Sequence, residues 1–127
     1  MKAAQDYLDE ANVIVPSVTT EEGIAIHAHG QAVFIDVRDS KSLLETGTIA
    51  GAYHVPRGMI ELSADPKSPY HKPFLRPDAH ICIVCGAGLM AAMAGKTLME
   101  MGFENVTNVG GMKAWKEAGG PTENFVI

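Results

Sequence analysis

The sequence predicts a single α/β domain built on a mostly parallel sheet. Three stretches carry that expectation: residues 32–37 (AVFIDV), 80–85 (HICIVC) and 105–109 (NVTNV), each followed by a turn and a helix-forming segment. Strands that alternate with helices in this way lie side by side as strand–helix units. The unbroken apolar run around Ile81, Ile83 and Val84 is the pattern of a strand covered on both faces. At 127 residues the chain has the length of one ordinary domain. Such a chain buries about two thirds of the surface it exposes when unfolded and needs no disulfide or metal staple.

The elements follow in order. Residues 2–11 read as an amphipathic helix: Ala4, Leu8 and Ala11 share one face with Tyr7 at its edge, and Asp6, Asp9 and Glu10 face water. Val13 to Pro16 leads out of it. Thr19 and Glu22 have the spacing of a capping box, so a second helix starts there and ends near His29 and Gly30. In the strand at 32–37, Asp36 lies near the carboxyl end. A short helix follows at about 41–45. Residues 47–52 (GTIAGA) form a loop, and Tyr53, His54 and Val55 a short strand closed by Pro56. Residues 57–78 are the least regular part, with Pro66, Pro69, Pro73 and Pro77 and one or two helical turns from Met59 to Ala64. A long apolar helix runs from Leu89–Ala91 to Met101, with Gly102 just past its end. Gly110 and Gly111 turn the chain into a last helix at 113–118, stopped by Gly119, Gly120 and Pro121.

Composition removes several classes of function. A net charge of −5, with no cluster of Lys or Arg, excludes a nucleic-acid surface. Two cysteines make no disulfide framework. No apolar run approaches the ~18 residues of a membrane span, and Met1 to Asp6 lacks the apolar stretch of a secretory signal. The expectation is a soluble, cytoplasmic protein with no membrane partner.

Chemistry is concentrated between residues 80 and 101. Cys85 stands at the carboxyl end of the apolar strand, Gly86-Ala87-Gly88 lets the backbone curl, and a helix begins directly after. A turn of this kind aims several N–H groups at one spot, at the positive end of a helix dipole. A cysteine placed there ionises readily, and the thiolate is its reactive form. On this stretch alone two readings stand, a nucleophile and a buried small residue.

Four motifs, in order and spacing, resemble the rhodanese-like domain, a family of small sulfurtransferases. They are Asp36-Val37-Arg38 after a strand; Gly47-Thr48-Ile49-Ala50-Gly51-Ala52; the turn from Cys85 to Met90 before a helix; and Gly110-Gly111-Met112-Lys113-Ala114-Trp115 with Ala118-Gly119. The resemblance covers about residues 18–121, in one domain of residues 1–127. It implies a central, mostly parallel five-stranded sheet flanked by helices on both faces. It implies that Cys85 takes a sulfane sulfur from a donor and passes it on as a persulfide, with substrate held by Gly86, Ala87, Gly88, Leu89 and Met90. No cofactor and no metal are expected. The expected partner is a small sulfur donor or a persulfide-bearing thiol or protein, and the oligomeric state is left open.

The chain departs from the family where substrate binds. Active members usually carry a cation or polar residue in the turn, and here the second position is Gly86 and the last is Met90. Thr48 replaces the usual histidine and Ala50 the usual proline, and Ser42 stands where an acidic partner of Arg38 is common. Thiosulfate is therefore expected to bind poorly, and a thiol persulfide is the better donor. A catalytically weak or inactive binding or sensing module is the alternative. Arg57 is the candidate replacement cation, with an exposed surface charge as the plainer reading, and His71 is a weaker candidate for the rim. Asp36 and Arg38 are expected near the site as a pair that fixes the loops.

Competing chemistries fit less well. Cys82 and Cys85 have C-x-x-C spacing, but in a strand they lie ~10 Å apart on opposite faces, whereas a disulfide needs Cα atoms within about 7 Å. Cys82 is read as core. A phosphatase-type Cys-x5-Arg loop would need arginine where Ala91 stands. The cysteines and histidines lack a second close-spaced pair for zinc. Trp115 and the methionines of the long helix are read as core packing.

Overall fold

The computed structural model describes residues 1–127. Helix α1 (Ala4–Ile14) is followed by α2 (Thr20–His29), strand β1 (Val33–Asp36), α3 (Ser40–Thr46), β2 (Thr48–Ile49) and β3 (Tyr53–His54). A single 3-10 turn (Arg57–Met59) leads into α4 (Ile60–Ala64). Then come β4 (His80–Cys85), α5 (Leu89–Glu100), β5 (Asn105–Gly111), α6 (Met112–Glu117) and β6 (Thr122–Glu123).

The sheet has four parallel strands in the order β3-β1-β4-β5, one fewer than expected. The fifth position, beside β5, is filled by Pro16 to Val18 without a strand. There the Asn108 N–H donates to the Pro16 carbonyl (2.9 Å) and the Val18 N–H to the Asn108 carbonyl (3.2 Å). Pro16 has no N–H to extend the ladder. Residues 48–49, expected as loop, pair antiparallel with β6 in a separate two-stranded ribbon.

Alternation along the strands sorts the core into two layers. Ile35, Ile81, Ile83 and Cys85 point to the side covered by α4 and α5, among Ile60, Ala64, Ala91, Ala94 and Leu98. Phe34, Cys82 and Val84 point to the opposite side, against Met112 and Trp115 of α6 and Ile24 and Ile26 of α2. A strand buried on both faces is what its uninterrupted apolar sequence requires.

Local signals set the ends. Thr19 and Glu22 form the expected capping box: the Thr19 N–H donates to the Glu22 carboxylate (2.8 Å) and the Glu22 N–H to the Thr19 hydroxyl (3.1 Å). Helix α1 runs three residues past its expected end. It stops at Ile14 because Val15 precedes a proline and takes an extended conformation. Pairing along β4 and β5 skips Val109: Ile83 opposes Asn108 and Val84 opposes Gly110. This bulge, with Gly110 at φ +92, turns the end of β5 towards the cysteine loop.

Candidate active site

Cys85 ends β4 and is 2% exposed. Its Sγ accepts two backbone hydrogen bonds, from the Gly88 N–H (3.0 Å) and the Ala91 N–H (3.3 Å). The expected cradle was the N–H groups of residues 86 to 90. Of these only Gly88 bonds the sulfur, and the second donor is Ala91, one residue beyond. Geometry explains the choice. Gly88 adopts φ +91, a left-handed conformation that costs only glycine nothing, and this folds the chain back over the sulfur. Ala91 lies in the first turn of α5, where N–H groups have no intrahelical acceptor.

The loop is fastened to β5. The Asn108 side chain donates to the Gly88 carbonyl (2.9 Å) and accepts from the Gly110 N–H (2.8 Å). Gly111 lies opposite Cys85 and so close to the loop that a Cβ on it would fall 2.0 Å from the Gly86 carbonyl oxygen. Asn108 escaped the sequence reading. A lone asparagine in a strand carries no local signal, and its bond to Gly88 spans twenty residues.

Asp36 and Arg38 are fully occupied with each other and with the loops. The Arg38 guanidinium donates to both Asp36 oxygens (3.0 and 2.8 Å), to the Thr46 hydroxyl (2.8 Å) and to the Gly47 carbonyl (2.9 Å). Thr48, in the usual histidine position, donates to Asp36 (2.8 Å). Arg38 therefore has Asp36 as its acidic partner, and Ser42 serves only the helix cap and turn around it. His54 contacts the Arg38 carbonyl (2.6 Å) and His27 the Ala50 carbonyl (2.7 Å); both histidines lacked partners in the sequence.

Arg57 is not brought to the turn. Its N–H groups bond Glu61 (3.1 Å) and the Thr97 hydroxyl (3.1 Å), and Thr97 lies ~9 Å along α5 from Ala91 at 1.5 Å per residue. His71 sits in the loop after α4, its N–H bonded to the Ser68 carbonyl. Leu89 and Met90 are 55% and 39% exposed, so apolar side chains surround the mouth of the turn. Cys82 lies in the opposite layer, fully buried, and burial pushes its thiol from 9.0 up to about 12. His80 Nε2 lies 3.5 Å from its sulfur; burial lowers the pKa of that histidine. Two clefts flank the loop. One, of about 300 Å³, has Asn12, Ser17, Gly88 and Leu89 in its wall. The other, of about 330 Å³, has Arg38, Gly86, Lys113 and Lys116.

The family model described as rhodanese-like domain matches residues 19–118. The chain belongs to the rhodanese-like domain family. Among solved structures it is similar to that of RPA3614 from Rhodopseudomonas palustris CGA009, described as a protein of unknown function and "Possible Tyrosine Phosphatase" (39% identity, 97% of this chain and 96% of that one, TM-score 0.92). It is also similar to the polysulfide-sulfur transferase homodimer of Wolinella succinogenes (26% identity, 95% and 87% covered, TM-score 0.72). A curated relative is the "Putative sulfur carrier protein YrkF" of Bacillus subtilis (strain 168), 33% identical over 82 residues. That match takes in 64% of this chain but only 40% of the relative's length. The family, the sulfur transferase and the sulfur carrier relative support sulfur transfer in general. Phosphatase chemistry of the Cys-x5-Arg kind is not supported in this member, because Ala91 occupies the arginine position and gives only its backbone N–H. No helix is long and apolar enough to cross a membrane.

Proposed function

We propose that this domain is a rhodanese-type sulfurtransferase that carries sulfane sulfur as a persulfide on Cys85. One observation carries the reading: two N–H groups at the start of α5 converge on the Cys85 sulfur, while no side chain donates to it. Donors fixed in the backbone stabilise negative charge on sulfur without a neighbouring base. The thiolate attacks the terminal sulfur of a persulfide R–S–SH. A Cys85 S–S bond forms, the S–S bond of the donor breaks, and RS⁻ departs with the bonding electrons. The proton stays on the transferred sulfur until solvent takes it.

The same bareness argues for the donor class. Thiosulfate is a compact dianion, and the loop from Gly86 to Met90 offers it no side-chain cation or hydroxyl. A thiol persulfide brings one sulfur and leaves as a thiolate, which asks less of the loop. Incubation with a sulfane donor in excess adds one sulfur to the intact mass. Cys85→Ser abolishes the gain and Cys82→Ser keeps it. Loss in folded Cys82→Ser with the gain kept in Cys85→Ser makes Cys82 the carrier. No gain with any donor turns the reading to a non-catalytic binding or sensing module, the role that a cysteine only 2% exposed favours.

A further inference from the structure

The cleft on the Gly86 side of the loop has a wall that the sulfur chemistry above does not use. Arg38, Thr46, Gly86, Met112, Lys113 and Lys116 line it, and no carboxylate is among them, in a chain of net charge −5. Arg38 is neutralised by Asp36 at 2.8 Å. Lys116 is held in place by its bond to the Thr46 carbonyl (2.9 Å), which leaves its ammonium further N–H donors. Lys113 has only Glu117 at 3.9 Å, both side chains largely in water. Such a pair is weak, so its charge is free to meet a ligand. Met112 is 3% exposed and gives the wall an apolar patch beside the cations. The volume, about 330 Å³, is at the small end of the range for small-molecule pockets, roughly 300–1,000 Å³. The other cleft beside the loop has no cation in its lining.

We propose that this cleft holds the carboxylate-bearing body of a low-molecular-weight thiol persulfide, with Lys113 and Lys116 on the carboxylates, while the terminal sulfur reaches Cys85. The inference rests on the sulfur-carrier reading and names its substrate class. The cations absent from the turn at Gly86 and Met90 are supplied across the cleft instead. A handle bound there leaves the Cys85 sulfur to backbone donors alone and selects donors by the charge they carry away from the reacting atoms.

The test compares the rate of persulfide formation on Cys85, by rapid quench and intact mass, for glutathione persulfide and for 2-mercaptoethanol persulfide, whose body carries no charge. The readout is the ratio of the two second-order rates. Lys113→Gln lowers the ratio about fivefold, the upper end for one exposed charge pair, and Lys113→Glu lowers it further, to about tenfold or more. Lys96→Glu makes the same change of net charge on α5, away from the cleft, and moves the ratio by less than about twofold once salt screens distant charges. A Lys113→Glu ratio equal to the parent's overturns the proposal, as does an equal fall in Lys96→Glu. Should neither donor load Cys85, the carrier reading fails, and the cleft is judged by itself. S-methylglutathione titrated into the Cys85→Ser protein then shifts the amide resonances of Gly86, Met112 and Lys113. Shifts elsewhere, or none, overturn the cleft.

Discussion

Cys82 and Cys85 share one strand, stand three residues apart and are equally hidden from water, 0% and 2% exposed. Burial therefore does not distinguish them. Cys82 faces a layer of Phe34, Val84 and Trp115 with no backbone donor on its sulfur, and that environment favours the neutral thiol. Cys85 stands one residue before the chain leaves the sheet, and two N–H groups at a helix start turn onto it. What separates the two cysteines is where the strand ends and what the next six residues do with their N–H groups.

The comparison breaks most completely if the loop is lifted. Gly111→Ala puts a methyl group 2.0 Å from the Gly86 carbonyl oxygen, and since that atom is backbone, the loop has to move. Overpacking typically costs ~1–3 kcal/mol, and a rigid backbone neighbour puts this change at about 3 kcal/mol or more. Sulfur loading of Cys85 falls with it, because the sulfur loses the N–H groups that set it apart from Cys82. Gly86→Ala is the control: its Cβ meets nothing within 4 Å, and stability changes by less than about 0.5 kcal/mol. Urea unfolding of the two variants decides the matter. Equal stability would mean that the loop–β5 contact is not what holds the site.

That contact also marks how far the sequence could be read. The strand, the cysteine turn, the long helix and the Thr19 cap were legible because each is written within a few consecutive residues. The parallel sheet covered on both faces was legible from the apolar run at 80–85. What stayed hidden depends on partners far along the chain. Asn108 matters because Gly88 is there to receive it. Residues 48–49 form a strand only because residues 122–123 return to pair with them. Arg57 leads into the loops of the site by sequence, and its side chain is captured by Glu61 and Thr97. The missing fifth strand follows from one proline at residue 16, whose position beside β5 no local pattern announces.

Alkaline pH sharpens the comparison by acting on Cys82. Its thiol is raised from 9.0 to about 12 in the folded chain, so the unfolded chain loses this proton first. The contribution to stability is present in full below about pH 9 and is lost as pH rises towards about 12. Between about pH 8 and about pH 10 the parent protein loses roughly 1–2 kcal/mol through this group. Cys82→Ala removes that part of the slope, whatever the small change in its absolute stability. The difference between the two proteins in denaturant midpoints, measured across that range, isolates Cys82 from the lysines and tyrosines that titrate nearby in pH. Parallel curves would show that burial does not hold the thiol neutral.

The smallest expected change is a gain on the Cys85 side. Met90 is the second residue of α5, directly before the Ala91 donor, and is 39% exposed, so a longer side chain fits there without disturbing the core. Met90→Arg adds a cation where the family resemblance places one. A hydrogen bond to a charged group is worth ~1.5–3 kcal/mol net, and ordering an exposed arginine takes back up to about 2 kcal/mol. At 1.36 kcal/mol per factor of ten, the rise in kcat/KM for thiosulfate is about tenfold and not more than about a hundredfold. Met90→Leu adds no charge and changes nothing. Initial rates of thiocyanate formation from thiosulfate and cyanide at low ionic strength compare the three proteins. A folded Met90→Arg variant no faster than the parent would show that the bare turn is not what limits thiosulfate. The limit would then lie in access to a cysteine that is 2% exposed, and reactivity in this loop would depend on opening it as much as on charging it.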